Sequence, residues 1–300
     1  MIMAQKEYGD TEKTIEIALK NNLKENIRKI INFSGDRPKK LLLFILHRWD
    51  IYNLKTILRG IFKNVPYKKI LEGLLELGEW DIDFLTKLSC ASNIDEIMDV
   101  LMSKYDIFSH NICQILKNIK KEIPLKEIEK KLDVFYYKYC FENLNVEDYN
   151  EKLILEFLKL EIDFKNIILV INSIEKQKPL DKSQIINYGN IPTDFILEIS
   201  KSKSIESILK NLAEHHYKDI LSRIINSYIK EKDATLIEKF LKEVVLIFAN
   251  KLYIKNPLNI GVGLGYIEMK NAEIINLRNI SKGLYYNLNP EYIRKNLLLC

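Results

Sequence analysis

The residues of this chain that could do acid–base, nucleophilic or metal chemistry are few, and their spacing does not gather them. The four histidines are His47, His110, His215 and His216. None stands at metal-ligand spacing from a second histidine or a cysteine. His215 and His216 are adjacent and cannot both face one site on a helix, so they read as a solvated pair at a helix end. The four cysteines, Cys90, Cys113, Cys140 and Cys300, include no CxxC pair and read as reduced structural thiols. Gly261-Val262-Gly263-Leu264-Gly265 looks like a phosphate loop, but it lacks the G-x-G-x-x-G spacing, follows no strand and leads into no Gly-Lys-Ser/Thr. It reads better as helix, with Pro257 at the first helical position and glycines that permit close packing. No nucleophile–base constellation is visible, so no catalytic residue, cofactor or metal is expected.

The acids that stand out do so by repetition. An acidic residue is followed at i+3 by Asn, at i+4 by Leu or Ile and at i+7 by Ile or Val. The copies are Asp50-Asn53-Leu54-Ile57, Asp163-Asn166-Ile167-Val170 and Glu273-Asn276-Leu277-Ile280, and they recur at a nearly constant interval. Ordinary composition would start such a pattern at roughly one position in a thousand. Those four positions share one face of a helix, which puts a carboxylate and an amide among aliphatic side chains. A buried Asn must be hydrogen-bonded, and the acid one turn earlier is placed to accept from it or to cap an adjacent helix. The motif therefore predicts a polar bolt that fixes each helix in its bundle. Lys55 and Arg59, and likewise Arg278 and Lys282, lie on the opposite face, so these pairs are expected to meet solvent or a partner.

A second stretch repeats behind the first. Asp83-Phe84-Leu85 with Leu88 answers to Asp194-Phe195-Ile196 with Ile199, and Asn93-Ile94-Asp95 to Ser204-Ile205-Glu206. Asn93 and Ser204 are expected N-caps, with acids in the first turn where the helix dipole favours them. Each copy then runs to a tyrosine, Tyr105 or Tyr217. Internal repetition of this kind takes precedence over any fold reading by segment. The chain divides by pattern into a first helical unit over residues 1–105, a second over 106–217 and an incomplete third over 218–300.

The elements that must carry these motifs are helices. Apolar stripes at helical spacing run through most of the 300 residues, and only 10 Gly and 7 Pro punctuate them, too few turns for an all-β fold. The formal charge of +5 arises from 46 basic and 41 acidic residues interleaved throughout, without the concentrated basic face that nucleic acid would demand. No charged-then-apolar leader opens the sequence, and its apolar runs are far shorter than the ~20 residues of a membrane span.

Taken together, these motifs resemble the C subunit of V/A-type rotary ATPases, the counterpart of the eukaryotic d subunit. Trp49-Asp50-Ile51-Tyr52-Asn53-Leu54-Lys55-Thr56-Ile57-Leu58-Arg59-Gly60 carries the resemblance first. Pro257-Leu258-Asn259-Ile260, Gly265-Tyr266 and Lys270-Asn271-Ala272-Glu273-Ile274-Ile275-Asn276-Leu277-Arg278-Asn279-Ile280 carry it again, and Asn289-Pro290-Glu291-Tyr292-Ile293-Arg294 is similar in kind. The resemblance implies an all-α fold of three similar helical bundles about a pseudo-threefold axis, shaped as a funnel. It implies a non-catalytic, cofactor-free rotor subunit that is monomeric in isolation. Its partners would be the central stalk and the proteolipid ring, at the cytoplasmic face of the membrane, which it would reach only through those partners. It would couple ATP turnover to ion transport.

Counting back from Asn53 by the interval that separates a unit's closing tyrosine from the next asparagine passes residue 1. The start of the first unit therefore reads as short or missing. Members of the family usually carry a further N-terminal helical segment that would complete the last unit, and none is expected here. The alternative from another class is an adaptor of the HEAT or TPR kind, whose repeats of about 34–47 residues are far shorter than the period seen here.

Overall fold

The computed structural model describes residues 11–118, 124–202, 204–231, 233–255 and 257–299. Among them are fourteen α-helices and no strand. In chain order these are α1 (Thr11–Phe33), α2 (Asp36–Phe62), α3 (Tyr67–Glu72), α4 (Ile82–Ser89), α5 (Ile94–Met102), α6 (Ile107–Lys117) and α7 (Leu125–Asn143). There follow α8 (Tyr149–Glu175), α9 (Thr193–Ile199), α10 (Ile205–His215), α11 (Lys218–Glu231), α12 (Ala234–Lys255), α13 (Gly261–Tyr285) and α14 (Pro290–Lys295). The all-α expectation is met. No helix among the described residues is long and apolar enough to cross a membrane.

Local sequence sets the helix ends. Asp81, Asn93, Asp106, Asp148 and Ser204 each accept a first-turn N–H with their side-chain oxygen, so both N-caps expected from the repeat, Asn93 and Ser204, are present. The three motif helices α2, α8 and α13 end alike. Asn64, Gln177 and Asn287 take positive φ (53°, 50° and 52°), and the next N–H returns to the carbonyl five residues back, from Val65 to Gly60, Lys178 to Ser173 and Leu288 to Gly283. That is a Schellman cap repeated three times.

The chain packs as two compact units, Lys20–Leu144 and Met1–Leu19 with Asn145–Cys300. In the first, α2 is the central helix, with Leu42, Ile45, Leu46, Leu54, Ile57 and Leu58 buried. In the second, α8 supplies a core of Phe164, Ile167, Val170 and Ile171 to α9, α10, α11 and α12. Also in the second unit, α13 runs against α12 so closely that a Cβ on Gly265 would lie 2.6 Å from the carbonyl oxygen of Ala249. The glycines thus serve helix packing, as expected. Pro257 does not begin the helix: it sits in the turn ahead of α13, whose first residue is Gly261.

The basic pairs on the motif helices correct a second expectation. Rather than facing outward, Lys55 meets Asp133 at 2.7 Å, and Arg59 grips Glu129 with Nε and Nη2 at 2.6 and 2.8 Å, both partners on α7. In the second unit Arg278 Nε lies 2.9 Å from Glu16, and Lys282 reaches Glu16 at 3.6 Å and Glu12 at 3.9 Å, both partners on α1. An i,i+4 pair of cations therefore faces an i,i+4 pair of acids in both places. The acids were in plain view, spaced like the cations they meet. The start of α1 thus gives α13 the kind of ion-pair bracing that α7 gives α2.

Because the atom that a Cβ at position 265 would strike is backbone, Gly265→Ala is expected to cost about 1–3 kcal/mol of overpacking. Gly35→Ala meets nothing within 4 Å and should be near neutral. Thermal unfolding of the two variants side by side checks the difference.

Candidate functional site

The site that the sequence singles out is a clamp between a motif helix and the stretch of chain that returns to it further along. Asn53 donates from Nδ2 to the carbonyl of Leu75 at 2.7 Å and accepts the N–H of the same residue on Oδ1 at 2.8 Å. Asn166 does this to Ile186 at 2.8 and 3.0 Å, and Asn276 to Leu298 at 2.8 and 2.7 Å. One amide side chain satisfies both polar groups of one peptide residue in each case. The reason lies in the side chain itself: carboxamide is the group that offers a donor and an acceptor side by side, as a peptide does.

The acids complete the clamp in the first two copies. Asp50 accepts the N–H of Glu79 at 3.0 Å and of Trp80 at 3.1 Å, just ahead of α4. Asp163 accepts the N–H of Asn190 at 3.1 Å and of Ile191 at 2.9 Å, just ahead of α9. Of the two roles expected for the acid, holding the entry to an adjacent helix is therefore the one it takes. Gly78 and Gly189 make that approach possible: a Cβ there would lie 2.1 Å from Oδ1 of Asp50 and 2.2 Å from Oδ1 of Asp163. These two glycines stand at nearly the same offset from their acids, so the pair was a usable sequence signal for the closing turn.

Each buried carboxylate is also met by side-chain groups, and here the copies differ. Asp50 has Nδ1 of His47 at 3.0 Å; a carboxylate only accepts, so that nitrogen carries the hydrogen. The His47 ring stacks on Phe108 with centroids 4.0 Å apart. Asp163 instead accepts from the Tyr217 hydroxyl, with Asn190 Nδ2 at 3.0 Å beside it. Burial, and then the Asp163 carboxylate, raises the Tyr217 phenol above its ordinary value. Tyr105, the counterpart expected from the repeat, is 95% exposed and touches no clamp.

The third copy departs further. Asp50, Asn53, Asp163 and Asn166 are buried, whereas Asn276 is half-buried and the Glu273 side chain is 52% exposed, paired with Lys270 at 2.9 Å. The expectation of a buried carboxylate thus fails at Glu273. Beside the second clamp, a cavity of about 750 Å³ opens between α8, α11 and α12, with an apolar floor that includes Leu160, Ile224 and Phe248 and a rim of mixed charge at Asp219, Arg223 and Lys251. No nucleophile and base converge there. Cys113 and Cys140 are buried free thiols and Cys90 an exposed one, while Cys300 lies outside the described residues. Among the described residues no group of His, Cys, Asp or Glu is placed to hold a metal ion. What this chemistry accomplishes is positioning, because both oxygens of each buried acid and both ends of each amide are taken up by the chain itself.

Replacing Asn53 with Leu strands a buried N–H and a buried C=O, and roughly 2–6 kcal/mol of stability should go with them, at about 1–3 kcal/mol per group. Asn276→Leu, where water can reach the freed groups, should cost less than half of that. Chemical denaturation of the two variants makes the comparison. Tyr217 gives a pH test. Its neutral form is the one the fold favours, so its contribution is complete below the ordinary tyrosine ionisation near pH ~10 and is lost as pH rises through the higher folded value. Stability measured from pH 8 to 12 should fall less steeply in Tyr217→Phe than in the parent, by the slope of one proton. Tyr139, pushed up to about 12 by burial, should leave some alkaline loss in both.

Comparison with known proteins agrees with this architecture. A family model described as the ATP synthase (C/AC39) subunit matches residues 1–296. A protein of Haloferax volcanii, named as the C subunit of an A-type ATP synthase, is 25% identical over 295 residues, covering 95% of this chain and 81% of its own length. Proteins of the same name from Methanocaldococcus jannaschii (26% identical over 289 residues, 95% and 71% covered) and Archaeoglobus fulgidus (28% over 287 residues, 95% and 80%) are similar to it. Since the match spans nearly the whole sequence, including all three acid–asparagine copies, this chain belongs to the ATP synthase C/AC39 subunit family.

Proposed function

We propose that this protein is a non-catalytic central-rotor subunit of a V/A-type ATPase or ATP synthase that translocates H⁺ or Na⁺. In this reading it is a socket: it seats on the proteolipid ring at the cytoplasmic face of the membrane, receives the central stalk, and so couples ATP turnover in the head to ion transport. The observation that carries the reading is the family match over residues 1–296, which spans the three clamped helices. The clamps support it. A part that transmits torque must not yield between its elements, and side chains bonded to backbone in two directions resist sliding better than apolar contact alone. The four cations first expected to meet a partner enter this proposal differently. Lys55, Arg59, Arg278 and Lys282 brace the motif helices against α7 and α1.

Omission and add-back test this function. In a complex reconstituted without the chain, the head should hydrolyse ATP at an undiminished rate while ATP-driven ion uptake into vesicles is lost. Adding the purified chain should restore uptake. Head ATPase activity that falls on omission, or uptake that persists, would overturn the proposal.

A further inference from the structure

In the first unit the clamp is backed by a cluster of rings. The Phe108 ring stacks on His47 with centroids 4.0 Å apart, meets Tyr139 edge-on at 5.0 Å, and has Phe135 at 5.4 Å and Trp80 at 6.3 Å. The internal repeat shows what stands at these places in the second unit. Leu160 precedes Asp163 as His47 precedes Asp50, and Ile191 gives its N–H to the acid as Trp80 does. On α6 and α11, buried Ser109 and Ile112 answer to buried Leu221 and Ile224, so Phe108 answers to Ile220. On α7 and α12, buried Ile128, Leu132 and Cys140 answer to buried Ile237, Leu241 and Ala249. That register sets Val244 against Phe135 and Phe248 against Tyr139. A cluster of rings in one unit is thus matched in the other by aliphatic side chains and the single ring of Phe248.

The cavity of about 750 Å³ opens at this place, with Leu160, Ile220, Val244 and Phe248 all in its lining. We propose that it is a binding site for a small uncharged aromatic molecule, a flat ring system held where the first unit holds its own Phe108. Its size falls within the roughly 300–1,000 Å³ of small-molecule sites. Rings remain in the wall at Tyr217, Phe240 and Phe248, and ring pairs in edge-to-face or offset contact gain more than burial alone gives. A saturated molecule of the same size would fill the space and forgo those contacts. The mouth carries Glu156 and Asp219 beside Arg223 and Lys251, so it offers no net attraction to an ion. A third acid there, Glu243, is taken up by Lys239 and the N–H of Leu299. The two cations can instead lie over the face of a bound ring. Binding of this kind is independent of the socket role.

Titration of the purified full chain with 2-naphthol, and with its saturated counterpart decahydro-2-naphthol, tests it by calorimetry and NMR. Saturable one-to-one binding of 2-naphthol is expected, with its ring protons close to the methyl groups of Leu160, Ile224 and Val244. The saturated alcohol should bind about three- to tenfold more weakly, as loss of the ring contacts implies. Joint substitution Ile220→Phe and Val244→Phe gives the second unit the side chains that the first carries at those places. It should weaken 2-naphthol binding at least about tenfold at an unchanged unfolding temperature, since the rings then occupy the site. Should that temperature fall, Ile247→Trp, at a part-exposed position on the cavity wall, is read in its place with weakening in the same direction. No saturable binding at millimolar 2-naphthol overturns the proposal, as do NMR contacts elsewhere on the chain. Equal affinity for the saturated alcohol, or undiminished binding in the filled variant, overturns it too.

Discussion

A protein built from helices has no sheet ladder to receive the backbone of segments that leave one helix and return to the core. Each such segment carries N–H and C=O groups that cost about 1–3 kcal/mol apiece when buried without a partner. The asparagine clamp is this chain's solution, and the rest of the architecture depends on it. Asn53 and Asn166 close on the peptide groups of Leu75 and Ile186 while wholly buried, so the returning segment can lie against the helix without stranding a polar atom. The same two bonds fix register, because only one residue of the segment can sit opposite the amide at a time.

Other features follow from that fixed point. With Leu75 held, the chain just beyond it passes under Asp50, and the acid can gather two more N–H groups only if the intervening residue has no side chain, which Gly78 satisfies. The helix that starts there, α4, is thereby aimed back across α2. On the opposite face of α2 the ion pairs to α7 operate in a different regime. Arg59 is about half exposed, so its bond to Glu129 adds little to stability but selects which edge of α7 faces α2. Buried amides and carboxylates set the geometry, and the surface charges choose among the packings left open.

Much of this was legible in the sequence because the motif has a period. Helix type, the polar face of α2 and α8 and the N-caps at Asn93 and Ser204 follow from residue spacing alone. What spacing cannot show is the partner at the far end of a long-range contact. The acid–asparagine pattern announces that something must be bonded, but Leu75, Ile186 and Leu298 contribute only backbone there, and backbone leaves no mark on residue identity. The cation pairs were misread for the same reason: helical periodicity says which face a side chain occupies, not whether another helix lies across from it. Pro257 was misplaced because a proline in the turn before a helix carries the same local signal as one in its first turn.

The substitution of Glu for Asp in the third copy has a physical meaning that treating the two acids alike conceals. At Asp50 and Asp163 the carboxylate sits in a closed slot, hard against where a Cβ on the facing glycine would be. One more methylene there would have to displace the turn or leave its rotamer, a strain of order ~1–3 kcal/mol in a packed interior. Glutamate is therefore poorly suited to the buried copies. On α13 no turn of this chain closes over the acid among the described residues, the longer side chain extends to Lys270, and the neighbouring Leu277 and Leu284 stay in solvent. The acid's length thus separates the two closed slots from the more open third copy.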